Sequence, residues 1–176
     1  GSPLRSWGSL GKGEREFDGP RGIAISEDGR VYVADTGNDR IQVFTADGRF
    51  ERQWGTHGAE AGEFDGPLGL AVAGDRVYVA DSRNDRVQVF HRDGSFLFFV
   101  WSYGYHDGAF DRPVDVAVDR EGDFYVSDQG NSRIQKFSPE GRFVLTWGGR
   151  GRRGGLLEEP GGLVEREGRL IVADPY

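Results

Sequence analysis

No cysteine occurs in the 176 residues, so neither a disulfide frame nor a thiolate metal site can form, and composition leaves the redox compartment open. Methionine is absent too, and lysine is far scarcer than arginine, a weak sign of a GC-rich or heat-adapted source. There are 3 histidines, at 57, 91 and 106, too scattered for a three-histidine metal centre. No apolar run approaches the roughly 20 residues that span a bilayer, which argues against membrane insertion. No secretory leader is recognised. Gly1-Ser2 is compatible with an expression scar, so a removed leader or neighbouring domain is not excluded. An apolar period of 3.6 residues is also missing, which argues against a helical repeat.

What the chain has is glycine and charge. Its 29 glycines, 29% charged residues and 36% hydrophobic residues suit many short strands joined by tight polar turns. The net charge of −7 argues against a general phosphate-binding surface, so nucleic acid is a disfavoured partner.

An internal repeat organises the chain. Phe17-Asp-Gly-Pro20 is followed by Gly22-Ile-Ala-Ile25, Val31-Tyr-Val-Ala-Asp35, Asn38-Asp-Arg40-Ile-Gln-Val-Phe44, Asp47-Gly48 and Trp54-Gly55. Equivalent segments run from Phe64 to Trp101 and from Phe110 to Gly148, and a fourth begins at Leu157 and stops after Asp174. The prolines Pro20, Pro67, Pro113 and Pro160 lie 46 or 47 residues apart. Each full unit holds four strand-like segments. The first is short, apolar and expected to be buried; the others are separated by Asp-Gly or Glu-Gly hairpin turns. Four strands at this period are the arithmetic of a propeller blade. The expected fold is all-β, with repeats at about 17–63, 64–109, 110–156 and 157–176, and with 3–8 as the last strand of a preceding blade.

The segment from Val31 to Phe44 resembles the NHL repeat, and the likeness recurs three times. That resemblance implies a β-propeller of four-stranded antiparallel blades, usually six to a ring. About four are present here, so the expectation is a partial ring, or one completed by another copy or a missing remainder.

Residues that recur in every blade are read as architecture. These are Asp35, Asn38 and Arg40; Asp81, Asn84 and Arg86; and Asp128, Asn131 and Arg133. Asp and Asn cap turns, and Arg forks onto carboxylate or carbonyl oxygens. Trp54, Trp101 and Trp147 are read as packing between blades.

Function is sought where the blades differ. The loops leading into the innermost strands, residues 56–63, 102–109 and 149–156, vary strongly. By the fold's pattern they share a face with the turns between second and third strands. Candidate ligand-binding residues there are His57, Tyr103, Tyr105, His106, Asp107, Arg150, Arg152 and Arg153. Arg21 and Asp115 join them near the mouth of the central channel, Asp115 replacing a glycine of the other blades. For Asp115 a functional role and a solvated or locally paired acid stand equal. His106 with Asp107 invites metal or proton-transfer chemistry, but an exposed loop histidine is favoured. Asp119–Asp123 is read as an acidic hairpin rather than a calcium loop. The Arg-Gly run at 149–155 is read as structure with a local positive patch rather than an RNA site. No motif calls for a cofactor, metal or catalytic nucleophile.

The leading expectation is a non-catalytic recognition or scaffold module that binds a protein or small ligand through the variable loops. NHL relatives include bacterial sensor ectodomains. Self-association through open terminal blades is expected as well. The alternatives are a piece of a six-bladed lyase or hydrolase, an RNA-binding NHL domain, and a truncated or engineered chain made for propeller assembly.

Overall fold

A computed structural model of the chain describes residues 6–101, 103–151 and 154–175, with the backbone alone at Trp101. After a short parallel pair, β1 (Ser9–Leu10) with β2 (Glu16–Phe17), the strands come in blocks of four. The first antiparallel sheet is β3 (Ile23–Ile25), β4 (Val31–Asp35), β5 (Arg40–Phe44) and β6 (Phe50–Trp54). The second is β7 (Pro67–Ala73), β8 (Arg76–Asp81), β9 (Arg86–His91) and β10 (Phe96–Trp101). The third is β11 (Pro113–Val118), β12 (Phe124–Asp128), β13 (Arg133–Phe137) and β14 (Phe143–Gly148). A two-stranded sheet, β15 (Leu163–Arg166) with β16 (Arg169–Val172), ends the order.

Sequential strands pair in every sheet, because glycines in left-handed conformations turn the hairpins; Gly48 has φ +81° and Gly94 φ +95°. A single 3₁₀ turn joins the second strand to the third in each full blade and ends on a left-handed residue, Asp39, Asp85 or Ser132. The first strands of neighbouring sheets lie against one another, β3 by β7, β7 by β11 and β11 by β15. They form the inner wall, and the fourth strands lie outermost. The sheets are propeller blades set in an arc that does not close.

The core lies between blades. Tyr32, Ile41 and Val43 of the first blade pack on Phe64, Leu70, Val79 and Phe90 of the second. Tyr78, Val87 and Val89 pack in turn on Phe110, Val116, Phe124 and Phe137 of the third. Trp54 sits in the first of these layers, 5.7 Å from the Phe90 ring and 6.4 Å from Tyr32. Trp7 takes the same station against Phe44, at 6.4 Å. Trp147 stands edge-on to Tyr125 at 6.0 Å and is partly exposed. The side chain of Trp101, and residues 3–5 of the expected leading strand, lie outside the described residues.

One expectation needs correction. The first strand of each blade is not uniformly buried: Leu70 and Val116 are covered, but Ile23 and Ile25 are 66% and 67% exposed. The physical reason is the order of blades. Leu70 and Val116 face the flank of the blade before them, whereas Ile23 and Ile25 stand on the open end of the arc. At the other end, Val164 and Ile171 are exposed in the same way.

Candidate functional site

Each full blade is built round a buried aspartate. Asp81, wholly enclosed, accepts Arg86 Nε at 2.7 Å, Asn84 Nδ2 at 3.0 Å and Gln88 Nε2 at 3.2 Å on Oδ2, and the Asp65 amide at 2.8 Å on Oδ1. Asp35 holds Arg40, Asn38 and Gln42 in this pattern, and Asp128 holds Arg133, Asn131 and Gln135. Burial pushes the Asp81 and Asp128 carboxyls upward while the guanidinium and amide donors pull the other way. Every partner is a donor, so the arrangement accommodates the carboxylate form.

The hub reaches the variable loops. Arg40 donates to the carbonyls of Lys12, Gly13 and Glu16, and Asn38 to Gly11. Arg86 donates to Ala59, Glu60 and Glu63, and Asn84 to Gly58. Arg133 donates to Tyr105, His106 and Ala109, and Asn131 to Gly104. A repeated guanidinium therefore fixes the backbones of the loops at 11–16, 58–63 and 104–109, whatever side chains they carry, while among the described residues none of these arginines reaches the loop at 149–156. The guanidinium also places each of those three loops beside the turn between second and third strands.

The side chains so presented differ. Tyr103 and Tyr105 are 69% and 87% exposed on a backbone held by Arg133, with His106 and Asp107 exposed beside them. His57, Tyr103 and Arg150 occupy equivalent stations, each in an isolated parallel bridge, to Phe64, Phe110 and Leu157. His57 Nδ1 lies 3.1 Å from Asp39 Oδ2, and Asp65 completes a group whose ligating atoms all lie within 4.8 Å of one another. His106 Nδ1 instead faces the Asp107 carbonyl at 3.1 Å. Arg150 is exposed beside Arg112 and Glu159, while Arg152 and Arg153 lie outside the described residues.

Arg21 and Asp115 line one hollow of about 460 Å³ at the inner ends of the first strands. The Asp115 carboxyl is pushed upward by burial, and the Leu163 and Val116 amides pull it back. His91 lies away from these groups and pairs with Asp75 at 2.7 Å, beside the hairpin turns of the opposite face. In the acidic hairpin, Lys136 Nζ reaches Asp123 at 2.7 Å and Asp119 at 3.4 Å, so an ammonium occupies the position a cation would need.

Sequence reading missed two sets of residues. The buried glutamines Gln42, Gln88 and Gln135 join hub to loop, Gln88 taking the Gly62 amide at 3.0 Å and giving to the Glu63 carbonyl at 2.6 Å. Their signal was visible, since the same position is Gln in all three blades. Asp39 and Asp85 bridge blades by accepting the Gly66 and Arg112 amides, both at 2.8 Å. An acid in a turn carries no mark of that reach.

Residues 17–44, 64–90 and 110–137 match the NHL repeat family. The chain is an NHL-repeat protein. It is similar to Protein lin-41 of Caenorhabditis elegans, 44% identical over 48 residues, which is 27% of this chain and 4% of that protein. It is also similar to E3 ubiquitin-protein ligase TRIM71 of Rattus norvegicus, 42% identical over 53 residues, which is 30% of this chain and 6% of that one. The matches thus span only a small part of these relatives. Among solved structures, a streptogramin B lyase aligns with TM-score 0.68 and 17% identity over 89% of this chain and 48% of its own. Virginiamycin B lyase from Staphylococcus aureus aligns with TM-score 0.63, 15% identity, and 89% and 49% coverage. These last two likenesses show the propeller fold alone. Among the described residues no helix is long and apolar enough to cross a membrane.

Proposed function

We propose that this NHL-repeat domain is a non-catalytic recognition module that binds a protein or small ligand through its lead-in loops. The observation that carries the reading is the clamp just described: a constant buried arginine fixes the backbones of the loops at 56–63 and 102–109, and their exposed side chains differ. Rigid presentation lowers the ordering cost of binding, and Tyr103 with Tyr105 offers aromatic area at little conformational cost. The test is selection of binders from a random peptide library on the immobilised domain. Selected peptides should protect amides at 103–109 from hydrogen exchange and lose binding to Tyr103→Ser/Tyr105→Ser. Binders that ignore this double variant and map elsewhere overturn the reading.

A lyase or hydrolase is the second reading, favoured only by the structural likeness to the two lyases. His57 is 70% exposed and tied to Asp39, and His106 faces a backbone carbonyl. An RNA role rests on Arg150 with Arg152 and Arg153, against the charge of −7. The exposed flanks at Ile23/Ile25 and Val164/Ile171 support association between copies. By the repeat, they correspond to the two halves of each internal blade junction.

A further inference from the structure

Four residues stand where the first strands begin: Gly22, Gly69, Asp115 and Gly162. Only Asp115 extends a side chain. Its carboxylate lies across the neighbouring blade, so close that a Cβ on Gly69 would fall 2.0 Å from Oδ1. Oδ2 accepts the Leu163 amide at 2.7 Å and Oδ1 the Val116 amide at 2.9 Å. Each oxygen keeps a free lone pair, and no lysine, arginine or histidine pairs with the group among the described residues. A largely buried carboxylate without a cation is costly, and a bound cation offsets that cost.

Arg21 lines the same hollow. Its amide is fixed on the Ala34 carbonyl at 3.1 Å, and its exposed guanidinium has no carboxylate partner among the described residues. The rest of the lining is uncharged: Gly22, Leu68, Gly69, Val114, Gln129 and the Gly161–Gly162 pair. A volume of about 460 Å³ falls in the range of small-molecule sites. The hollow therefore offers one unpaired anion, one unpaired cation and a floor cleared of side chains by glycine.

We propose that this axial hollow binds a small zwitterion of amino-acid size, its ammonium on Asp115 and its carboxylate on Arg21. A guanidinium suits a carboxylate through paired N–H donors, and the carboxylate of Asp115 accepts an ammonium on its free lone pairs. The inference rests on reading this face as a recognition surface, and it deepens that reading by naming a ligand class. It uses none of the loop tyrosines.

The test is an amide-resolved NMR titration with glycine, L-leucine and glycylglycine, each added separately. At least one should shift the Val116 and Leu163 amides saturably. The N-acetyl form of that compound, which lacks the ammonium, should leave them unmoved. Its methyl ester, which lacks the carboxylate, should bind about tenfold more weakly, the worth of one charge-assisted contact. Asp115→Gly, which carries the residue of the other blades, should abolish the response; Asp115→Asn serves if the glycine variant does not fold. Arg21→Gln should weaken the zwitterion to the level of its ester and leave the ester unchanged. Absence of a saturable response to all three compounds, an equal response to the N-acetyl form, or a response kept in the Asp115 variant would overturn the proposal. Tyr103→Ser/Tyr105→Ser should leave the titration unchanged, so failure of the loop surface and failure of the hollow are read separately.

Discussion

Arg86→Ala tests the clamp on which the recognition reading stands. Arg86 is 3% exposed and makes four bonds: one to Asp81 at 2.7 Å, and three to the carbonyls of Ala59, Glu60 and Glu63 at 2.6, 3.0 and 2.7 Å. Alanine leaves Asp81 buried without its cation and three carbonyls without their donor. Breaking a buried pair from one side costs about 3–5 kcal/mol, and water entering from the loop side holds the total within that range. With a urea slope of about 2 kcal/mol/M, the midpoint should fall by about 1.5–2.5 M with the slope unchanged. Amides at 59–63 should exchange faster in the native state, since the loop loses its anchor. Burial already raises the Asp81 carboxyl, and the variant removes the guanidinium that opposes the rise. A raised folded-state pKa gives stability that is present at low pH and lost as pH climbs through it. The deficit should therefore narrow as the pH is lowered from 7. A midpoint shift below about 0.5 M, or loop exchange equal to wild type, would refute the clamp.

Asp28 tests the opposite sign of linkage. Its carboxyl is lowered to about 2, first by the Ser26 hydroxyl and then by Arg92 and Arg30. Its contribution should be present above pH 3.8 and lost as pH falls towards about 2, and Asp28→Asn should remove that part of the acid transition in pH-dependent thermal melts. Gly69→Ala should destabilise by about 1–3 kcal/mol through overpacking, because its Cβ would meet both the Asp115 carboxylate and, at 2.6 Å, the Asp115 Cα. An unchanged denaturation midpoint would remove Asp115 from the place described. Ile23→Glu/Ile25→Glu should return the sedimenting mass to 19.5 kDa if the open flank drives association between copies. Wild type already at 19.5 kDa at micromolar concentration would end that proposal. Tyr103→Ser/Tyr105→Ser should leave thermal stability within about 0.5 kcal/mol, because both side chains stand in solvent.

The sequence alone determined the blade. Prolines 46 or 47 residues apart, Asp-Gly turns and four β-rich segments per period leave few alternatives to stacked four-stranded sheets. Strand pairing in a hairpin is local, and local patterns are what a single chain displays. The tertiary structure decided what faces what. Ile23 and Leu70 occupy the same place in the repeat, yet one lies open and the other buried, because burial here depends on the blade in front. In sequence Arg86 reads as a repeat residue that forks onto carboxylate or carbonyl oxygens of its blade, and only the packing shows that those carbonyls belong to a loop 23 to 27 residues earlier. Asp115 was legible as an exception among glycines. That its carboxylate has two amides, no cation partner among the described residues, and Arg21 in the same hollow follows from bringing the inner strands of successive blades to one axis, a separation that no local pattern encodes.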